Sequence, residues 1–167
     1  MEEINQYFSE IYDQYVAKIY RFIYLKVSTQ EIAEDLSSEV FLRLYRHVQK
    51  NNPAIENAQA FLYQIARNVV ADHYRGRKVT VVSIEKTTIE IEDIGEKTRE
   101  QAEVSLEMDR IRQALSELQD DYQNLIIWKY LDELSVPEIA QITGKTEDNV
   151  RVGVHRALQA LKGKVLA

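Results

Sequence analysis

The sequence contains no cysteine, which excludes disulfides, zinc-thiolate sites and thiol nucleophiles. Only five glycines and two prolines occur in 167 residues, and this scarcity of helix-breaking residues favours a mostly helical structure. No apolar run approaches the roughly 20 residues needed to span a bilayer. The first residues, MEEINQYFSE, are acidic and amphipathic rather than basic and then apolar. We therefore expect no signal peptide, no membrane insertion and a soluble, cytoplasmic protein.

The patterns of a catalytic or metal site are also missing. The three histidines, His47, His73 and His155, fall on separate predicted helices without metal-ligand spacing. The sequence has no glycine-rich phosphate-binding loop. We therefore expect neither enzymatic activity nor a bound metal or cofactor.

A basic excess, which nucleic-acid-binding domains usually have, is absent. The net charge is −6, and the acidity is concentrated in residues 79–108, with eight acidic and three basic side chains. Residues 1–78 carry ten of each sign, and residues 109–167 carry nine acidic and eight basic side chains. Phosphate attraction alone would give weak affinity for DNA. A nucleic-acid function would therefore require a partner that supplies affinity.

Residues 134–162 predict two helices joined by a tight turn. Ser135 and Glu138 have the spacing of a capping box at the start of the first helix. Gly144 tolerates the positive φ that a sharp helix exit needs, and Thr146 can cap the second helix. This arrangement is typical of a helix-turn-helix.

The second helix of this pair has distinct apolar and polar sides. Its predicted inward residues are Val150, Val154, Ala157, Leu158 and Leu161, and its predicted outward residues are Asn149, Arg151, Val152, His155, Arg156 and Gln159. Arginine and asparagine can reach base edges or phosphates in a major groove, which favours DNA binding. A helical hairpin with a solvated polar face is the alternative.

Three amphipathic helices are predicted in the N-terminal half, over residues 3–27, roughly 29–48 and roughly 58–75. Ser28 with Glu31 has capping-box spacing for the second helix, and Asn57 can cap the third. The predicted inward residues are Ile4, Phe8, Ile11, Tyr15, Ile19, Phe22 and Ile23 in the first helix, Ile32, Leu36, Val40, Phe41 and Leu44 in the second, and Phe61, Leu62, Ile65, Ala66 and Val69 in the third.

The exposed sides of the second and third helices differ in chemistry. The second carries Glu31, Glu34, Asp35, Ser38, Glu39, Arg43 and Arg46, an acid-then-base order that also suits an ordinary solvated helix. The third is predicted to expose Tyr63, Arg67, Asn68, Asp72, His73, Tyr74 and Arg75, followed by Arg77 and Lys78. Aromatic rings mixed with cations and amides are typical of surfaces that bind single-stranded nucleic acid. A helix end with favourable C-terminal cations is the alternative.

Residues 79–94 are β-branched and acidic, which predicts an extended linker, with a brief strand as an option, at a domain boundary. Helical spacing returns from about Val104, with Leu106, Ile111, Ala114, Leu115 and Leu118 inward. Asp120 or Asp121 is predicted to start another helix, in which Trp128 belongs to the core.

Three motifs in this order resemble the bacterial extracytoplasmic-function (ECF) sigma factors, the small members of the sigma-70 family. Residues 33–46, AEDLSSEVFLRLYR, resemble the family's region 2.2, and residues 61–78, FLYQIARNVVADHYRGRK, resemble regions 2.3 and 2.4. Residues 114–162 resemble region 4. The resemblance covers about four-fifths of the chain and leaves the acidic segment unmatched.

This resemblance implies an all-α protein with a region 2-like domain at 1–78, an acidic flexible linker at 79–106 and a region 4-like helix-turn-helix domain at 107–167. The partners it implies are core RNA polymerase, through its β′ clamp and β subunits, duplex promoter DNA, a melted non-template strand and an anti-sigma factor. The linker would thread toward the polymerase active-site channel.

The resemblance also implies roles for particular residues. Those implied to bind core polymerase are Asp35, Glu39, Leu42, Arg43 and Arg46. Those implied to bind the minus-ten element are Arg67, Asn68, Asp72, His73, Tyr74, Arg75 and Arg77. Those implied to bind the minus-thirty-five element are Asn149, Arg151, Val152, His155 and Arg156.

Three positions depart from the family pattern. Ser38 stands where glutamine is frequent, Val152 replaces a frequent serine, and Gly153 interrupts the recognition helix, where glycine costs about 1 kcal/mol relative to alanine. We expect Gly153 to allow close approach to DNA or to alter minus-thirty-five specificity. A stand-alone helix-turn-helix regulator and a polymerase-binding adaptor without promoter recognition remain the alternative functions.

Overall fold

The computed structural model describes residues 2–51, 55–77 and 109–166, and all regular secondary structure within these ranges is helical. The residues group into an N-terminal unit, which contains three long helices, and a C-terminal unit, which contains the later helices apart from residues 141–143. The all-α, two-domain prediction is therefore confirmed. The predicted linker at 79–106, its optional strand, and Lys78, Val104 and Leu106 lie outside the described residues.

Three long helices build the N-terminal unit: α1 (Glu2–Val27), α2 (Gln30–Asn51) and α3 (Ala58–Arg77). Every pair of these helices is in contact. The fully buried residues from all three include Ile19, Phe22, Ile23, Val40, Leu44, Leu62 and Tyr63. The amphipathic pattern of the sequence thus becomes a shared three-helix core.

Tyr63 was predicted to be exposed on α3, and this prediction is wrong. Its side chain is 0% exposed, and its ring meets that of Phe22 edge-on with centroids 5.4 Å apart. The reason is that α3 packs against both α1 and α2, so its buried arc is wider than the single stripe read from the sequence. Seven residues of this unit that were predicted to face inward are only half-buried, namely Ile4, Phe8, Tyr15, Ile32, Leu36, Phe61 and Ile65.

The capping box predicted at Ser28 is also wrong. Helix α2 begins at Gln30, and the carbonyl of Thr29 accepts the first helical hydrogen bond, from the amide of Ala33 at 2.9 Å. Ser28 instead ends α1, because its amide donates to the Tyr24 carbonyl and its φ is 57°. The cap predicted for α3 is confirmed, since the Asn57 side-chain oxygen accepts from the Ala60 amide at 3.1 Å.

The C-terminal unit is built from shorter helices. Residues 109–116 form α4, which is followed by α5 (Asp120–Ile126), α6 (Val136–Thr143) and α7 (Glu147–Leu166). A π-helical turn, Ile127–Leu131, extends α5 and contains Trp128, which is 1% exposed as the sequence predicted. Ile111, predicted inward, is 40% exposed.

None of the described helices combines the length and the hydropathy that a bilayer-spanning segment requires.

Candidate nucleic-acid and protein interfaces

Helices α6 and α7 form the predicted helix-turn-helix, and local hydrogen bonds define its turn. Ser135 and Glu138 make both bonds of the capping box, at 2.9 and 3.2 Å. Gly144 ends α6 with φ 73°, and its amide donates to the Ala140 carbonyl at 2.8 Å. The Thr146 hydroxyl then accepts from the Asn149 amide at 3.1 Å and caps α7. These bonds determine where α7 begins and therefore which residues of α7 face outward.

The outward side of α7 agrees with the sequence prediction. Its exposed residues are Asn149, Arg151, Val152, His155, Arg156 and Gln159. Val150, Val154 and Ala157 are buried on the opposite side. A valine at position 152 that is 47% exposed presents methyl groups of the kind that contact a thymine methyl.

Arg151 is held by two acidic residues of its own helix. One terminal nitrogen of its guanidinium lies 2.9 Å from Asp148 Oδ1, and the other lies 3.4 Å from Glu147 Oε1. Both carboxylates also lie in the first turn of α7, where the helix dipole favours negative charge. Among the described residues, no carboxylate is within ion-pairing distance of Arg156.

The absence of a side chain at Gly153 has a structural reason that the sequence did not reveal. A Cβ atom at this position would lie 2.9 Å from Leu125 Cδ1 on α5, which is closer than side chains pack. The glycine therefore allows α7 to approach α5 within the C-terminal unit. This contact is internal to the C-terminal unit, so close packing of two helices is a sufficient reason for a glycine at this position.

Helix α3 carries the predicted minus-ten residues with mixed exposure. Asn68, Asp72, Tyr74 and Arg75 are exposed, and Arg67 and His73 are half-buried. Arg77 is the last residue of α3, and its side chain lies outside the described part of the structure. The helix thus brings Asn68, Asp72 and Arg75 onto one exposed region at successive turns.

Several of these residues have partners inside the N-terminal unit. Asp72 pairs with Arg75 on α3 and lies 3.7 Å from an Arg43 guanidinium nitrogen on α2. The Tyr74 hydroxyl donates to the backbone carbonyl of Lys26, near the end of α1. That carbonyl is one of the last four of a helix, which have no partner within the helix itself.

Helix α2 presents most of its predicted polymerase-binding residues to solvent. Asp35, Leu42 and Arg46 are exposed, and Glu39 and Arg43 are half-buried and joined by a 3.0 Å ion pair. Leu42 is 43% exposed and places apolar surface among these charged side chains.

A groove of about 340 Å³ runs beside this surface, between α1 and α2. Its lining comprises Tyr12, Val16, Ala17, Tyr20, Glu34, Ser37, Ser38 and Phe41. Burial and the Glu34 carboxylate raise the pKa of Tyr20 above its ordinary value, with a further contribution from Tyr24. No function was predicted for α1 from its sequence. Tyr12, Val16 and Tyr20 recur at every fourth residue of α1, next to the residues of its buried core stripe. This spacing is the sequence signal that could have predicted a second apolar side of α1, which lines the groove.

Family comparison covers both units. The family model described as "Sigma-70 region 2" matches residues 11–80, and the family model described as "Sigma-70, region 4" matches residues 108–161. The ECF RNA polymerase sigma factor SigW from Bacillus subtilis is 32% identical over 163 residues, which cover 93% of this chain and 87% of SigW. The ECF RNA polymerase sigma factor BldN from Streptomyces coelicolor is 34% identical over 157 residues, and the match spans 92% of this chain and 58% of BldN.

A solved structure supports the fold. The sigma factor RpoE from Bartonella quintana, crystallised in complex with the anti-sigma factor NepR, superposes with a TM-score of 0.69 at 22% identity, covering 100% of this chain and 99% of RpoE. Together with the SigW match, the helix-turn-helix in the C-terminal unit and the three-helix N-terminal unit place the chain in one family. The protein belongs to the extracytoplasmic-function RNA polymerase sigma factors of the sigma-70 family.

Proposed function

We propose that this ECF sigma factor binds core RNA polymerase, directs it to specific promoters and promotes strand opening, acting in the cytoplasm without catalytic activity of its own. The observation that carries the proposal is the single exposed face of α7, which presents Asn149, Arg151, Val152, His155 and Arg156 from a helix-turn-helix. The near-neutral charge of the C-terminal residues supports the need for polymerase, because phosphate attraction alone gives this unit little affinity.

The proposed domain limits are 1–78 for polymerase and minus-ten binding, 79–106 for the linker, and 107–167 for minus-thirty-five binding. The limits of the two family matches, 11–80 and 108–161, support these boundaries. The grouping of the described helices into two units supports them as well.

The proposed polymerase-binding surface is the exposed side of α2. Leu42 supplies apolar area, and Asp35, Glu39, Arg43 and Arg46 supply charges of both signs. A partly exposed leucine surrounded by charged side chains has the composition of a small protein interface, with an apolar centre and a polar rim. We propose the β′ clamp of core polymerase as its main partner, with the β subunit contacting the chain elsewhere.

The proposed minus-ten surface is the exposed side of α3. Asn68 offers an amide that can read the edge of an unpaired base, and Arg67, Arg75 and Arg77 offer charges for the strand backbone. His73 and Tyr74 offer rings, which meet each other with centroids 5.4 Å apart. Trapping a flipped base costs a few kcal/mol of unstacking and is offset by stacking and pocket contacts, so opening requires no ATP.

The proposed minus-thirty-five surface is the outward side of α7. In a helix-turn-helix, the second helix enters the major groove and its N-terminal residues contact base edges. Asn149, Arg151 and Val152 occupy this part of α7, and His155 and Arg156 follow one turn later. We also propose an anti-sigma factor as a regulatory partner, since RpoE from Bartonella quintana was crystallised with NepR.

The first experiment mixes the purified protein with sigma-free core polymerase. It measures complex formation and then transcription from a library of genomic fragments. Binding with discrete start sites supports the proposal and supplies the promoter consensus. Binding without start sites would indicate a polymerase-binding adaptor. Absence of binding, together with tight specific binding to duplex DNA, would indicate a stand-alone regulator.

Two matched variants then separate recruitment from opening. Asn68→Ala should lower the permanganate reactivity of promoter thymines while duplex binding by the holoenzyme stays unchanged. Arg156→Ala should weaken recruitment to promoters that depend on the minus-thirty-five element, and the fraction of bound complexes that open should stay unchanged. Unchanged thymine reactivity in Asn68→Ala would contradict the assignment of α3.

A further inference from the structure

Two acidic residues of α7 precede Arg151 and form ion pairs with its guanidinium. A guanidinium that contacts guanine or phosphate places its terminal nitrogens on two acceptor atoms of the nucleic acid. In the structure, carboxylates of Glu147 and Asp148 already occupy both terminal nitrogens of Arg151, at 3.4 and 2.9 Å. Each terminal nitrogen carries two N–H groups, so the carboxylates use part of the donor set and offset the charge of the guanidinium, and DNA competes with them for the same nitrogens.

We infer that Glu147 and Asp148 are specificity-determining residues, which compete with DNA for Arg151 and suppress binding to sequences that offer only phosphate contacts. This inference rests on the proposed role of α7 as a duplex-reading helix. A lone phosphate contact gains little over the carboxylates that it replaces. A bidentate guanine contact within a full promoter complex gains more, because it is accompanied by the other contacts of the holoenzyme.

The exposure of the three side chains agrees with a reversible exchange. The side chains of Arg151, Glu147 and Asp148 are 57%, 51% and 92% exposed. Exposed pairs of this kind are weak and respond to salt, so DNA can replace them without unfolding the helix. The same arrangement recurs in the N-terminal unit, where Asp72 pairs with Arg75 three residues later on α3.

The test is a double-mutant cycle between Asp148 and Arg151 in the full chain. The measured quantity is the affinity of the free protein for fluorescent random-sequence duplex DNA at low salt, where phosphate contacts are strongest. We expect Asp148→Asn to tighten this binding about two- to fivefold, the size typical of one exposed ion pair. We expect the gain to disappear in the Arg151→Ala background, because the carboxylate then has no guanidinium to occupy.

Asp121→Asn is the matched control. Asp121 is exposed and stands second in α5, as Asp148 stands second in α7, so both changes remove one charge from the same helical position. Any general effect of net charge or of the helix dipole appears equally in both variants. Circular dichroism of each variant checks that the helix content is unchanged.

A second readout is the salt dependence of binding. An arginine released for one more phosphate contact should steepen the slope of log affinity against log salt by about 0.9. A purely structural effect of Asp148 would leave this slope unchanged.

Three results would overturn the inference. They are equal gains for Asp148→Asn and Asp121→Asn, a gain that persists in Arg151→Ala, and a failure of every variant to bind duplex DNA. The cycle contains no polymerase, whereas the proposed function is tested by transcription with core enzyme. If the wild-type protein supports promoter-specific transcription but Asp148 and Arg151 show no coupling in the cycle, only this inference is refuted. If the two residues are coupled but the wild-type protein supports no transcription, only the proposed function is refuted.

Discussion

The two units present their proposed DNA-binding side chains differently. On α7, all five proposed residues are exposed on one side, and the ion partners of Arg151 lie on the same helix. On α3, Asp72 reaches Arg43 on α2, and the Tyr74 hydroxyl reaches the end of α1. The surface of α7 is therefore a property of one helix, and the surface of α3 depends on three.

This difference follows from how the helices pack. Helix α7 buries one narrow stripe, with Val150, Val154 and Ala157 at helical spacing. Helix α3 contacts both α1 and α2, so residues on two sides of it are buried. When a helix buries only a narrow stripe, the spacing of apolar residues is enough to predict which residues on the opposite face are exposed. When the buried arc is wide, spacing alone is not enough.

The largest expected effect tests whether Tyr63 belongs to the core. Tyr63→Ala should destabilise the N-terminal unit by about 3–5 kcal/mol, because it removes a fully buried aromatic ring. Denaturant unfolding followed by circular dichroism, with hydrogen exchange of peptides from α1 to α3, measures the loss. Tyr12→Ala removes the same type of ring from a position that is 40% exposed and serves as the control. A loss of unfolding free energy below about 1 kcal/mol would indicate that the Tyr63 side chain is exposed, as the sequence predicted.

The second prediction concerns Gly144 and Glu133, two left-handed residues in the described part of the C-terminal unit. Gly144→Ala should cost about 1–2 kcal/mol, because an L-residue is strained at φ 73°. Glu133 has φ 56° without being glycine, so Glu133→Gly should stabilise the same unit by about 0.5 kcal/mol. Fluorescence of Trp128, the single tryptophan, reports unfolding of this unit. Effects of the same sign would show that backbone strain does not distinguish the two positions.

The third prediction contrasts two serines with similar sequence signals. Ser135→Ala should cost about 1 kcal/mol, because its hydroxyl accepts from the Glu138 amide at 3.2 Å. Ser28→Ala should change stability by less than about 0.5 kcal/mol, because Ser28 ends α1 and does not cap α2. Thermal unfolding of both variants decides the matter. Equal losses of stability in the two variants would indicate that Ser28 caps α2 after all.

The last prediction concerns Gly153, where two opposing effects should nearly cancel. Alanine gains about 1 kcal/mol of helix propensity but places Cβ 2.9 Å from Leu125 Cδ1, so Gly153→Ala should stay within about 1 kcal/mol of wild type. In a Leu125→Ala background the clash is removed, and the same change should stabilise by about 1 kcal/mol. Additive effects in this cycle, measured by denaturant unfolding, would show that Leu125 is not the reason for the glycine.

The sequence by itself determined several features that depend on neighbours within about four residues. The capping box at Ser135, the glycine exit at Gly144, the Thr146 cap and the exposed side of α7 all follow from helical spacing and backbone hydrogen bonds, and the ordered motifs identified the family. Each of these interactions closes within one or two helical turns, so the order of residues contains the information needed.

Only the tertiary structure decided the features that join distant parts of the chain. It buried Tyr63 against Phe22, brought Asp72 beside Arg43, placed Gly153 against Leu125 and opened a groove between α1 and α2. The residues of each of the three pairs are separated by 28 positions or more in the sequence, and their contact depends on how whole helices pack. The physical reason is that helical periodicity specifies which side of a helix is apolar, and packing specifies how many sides are covered.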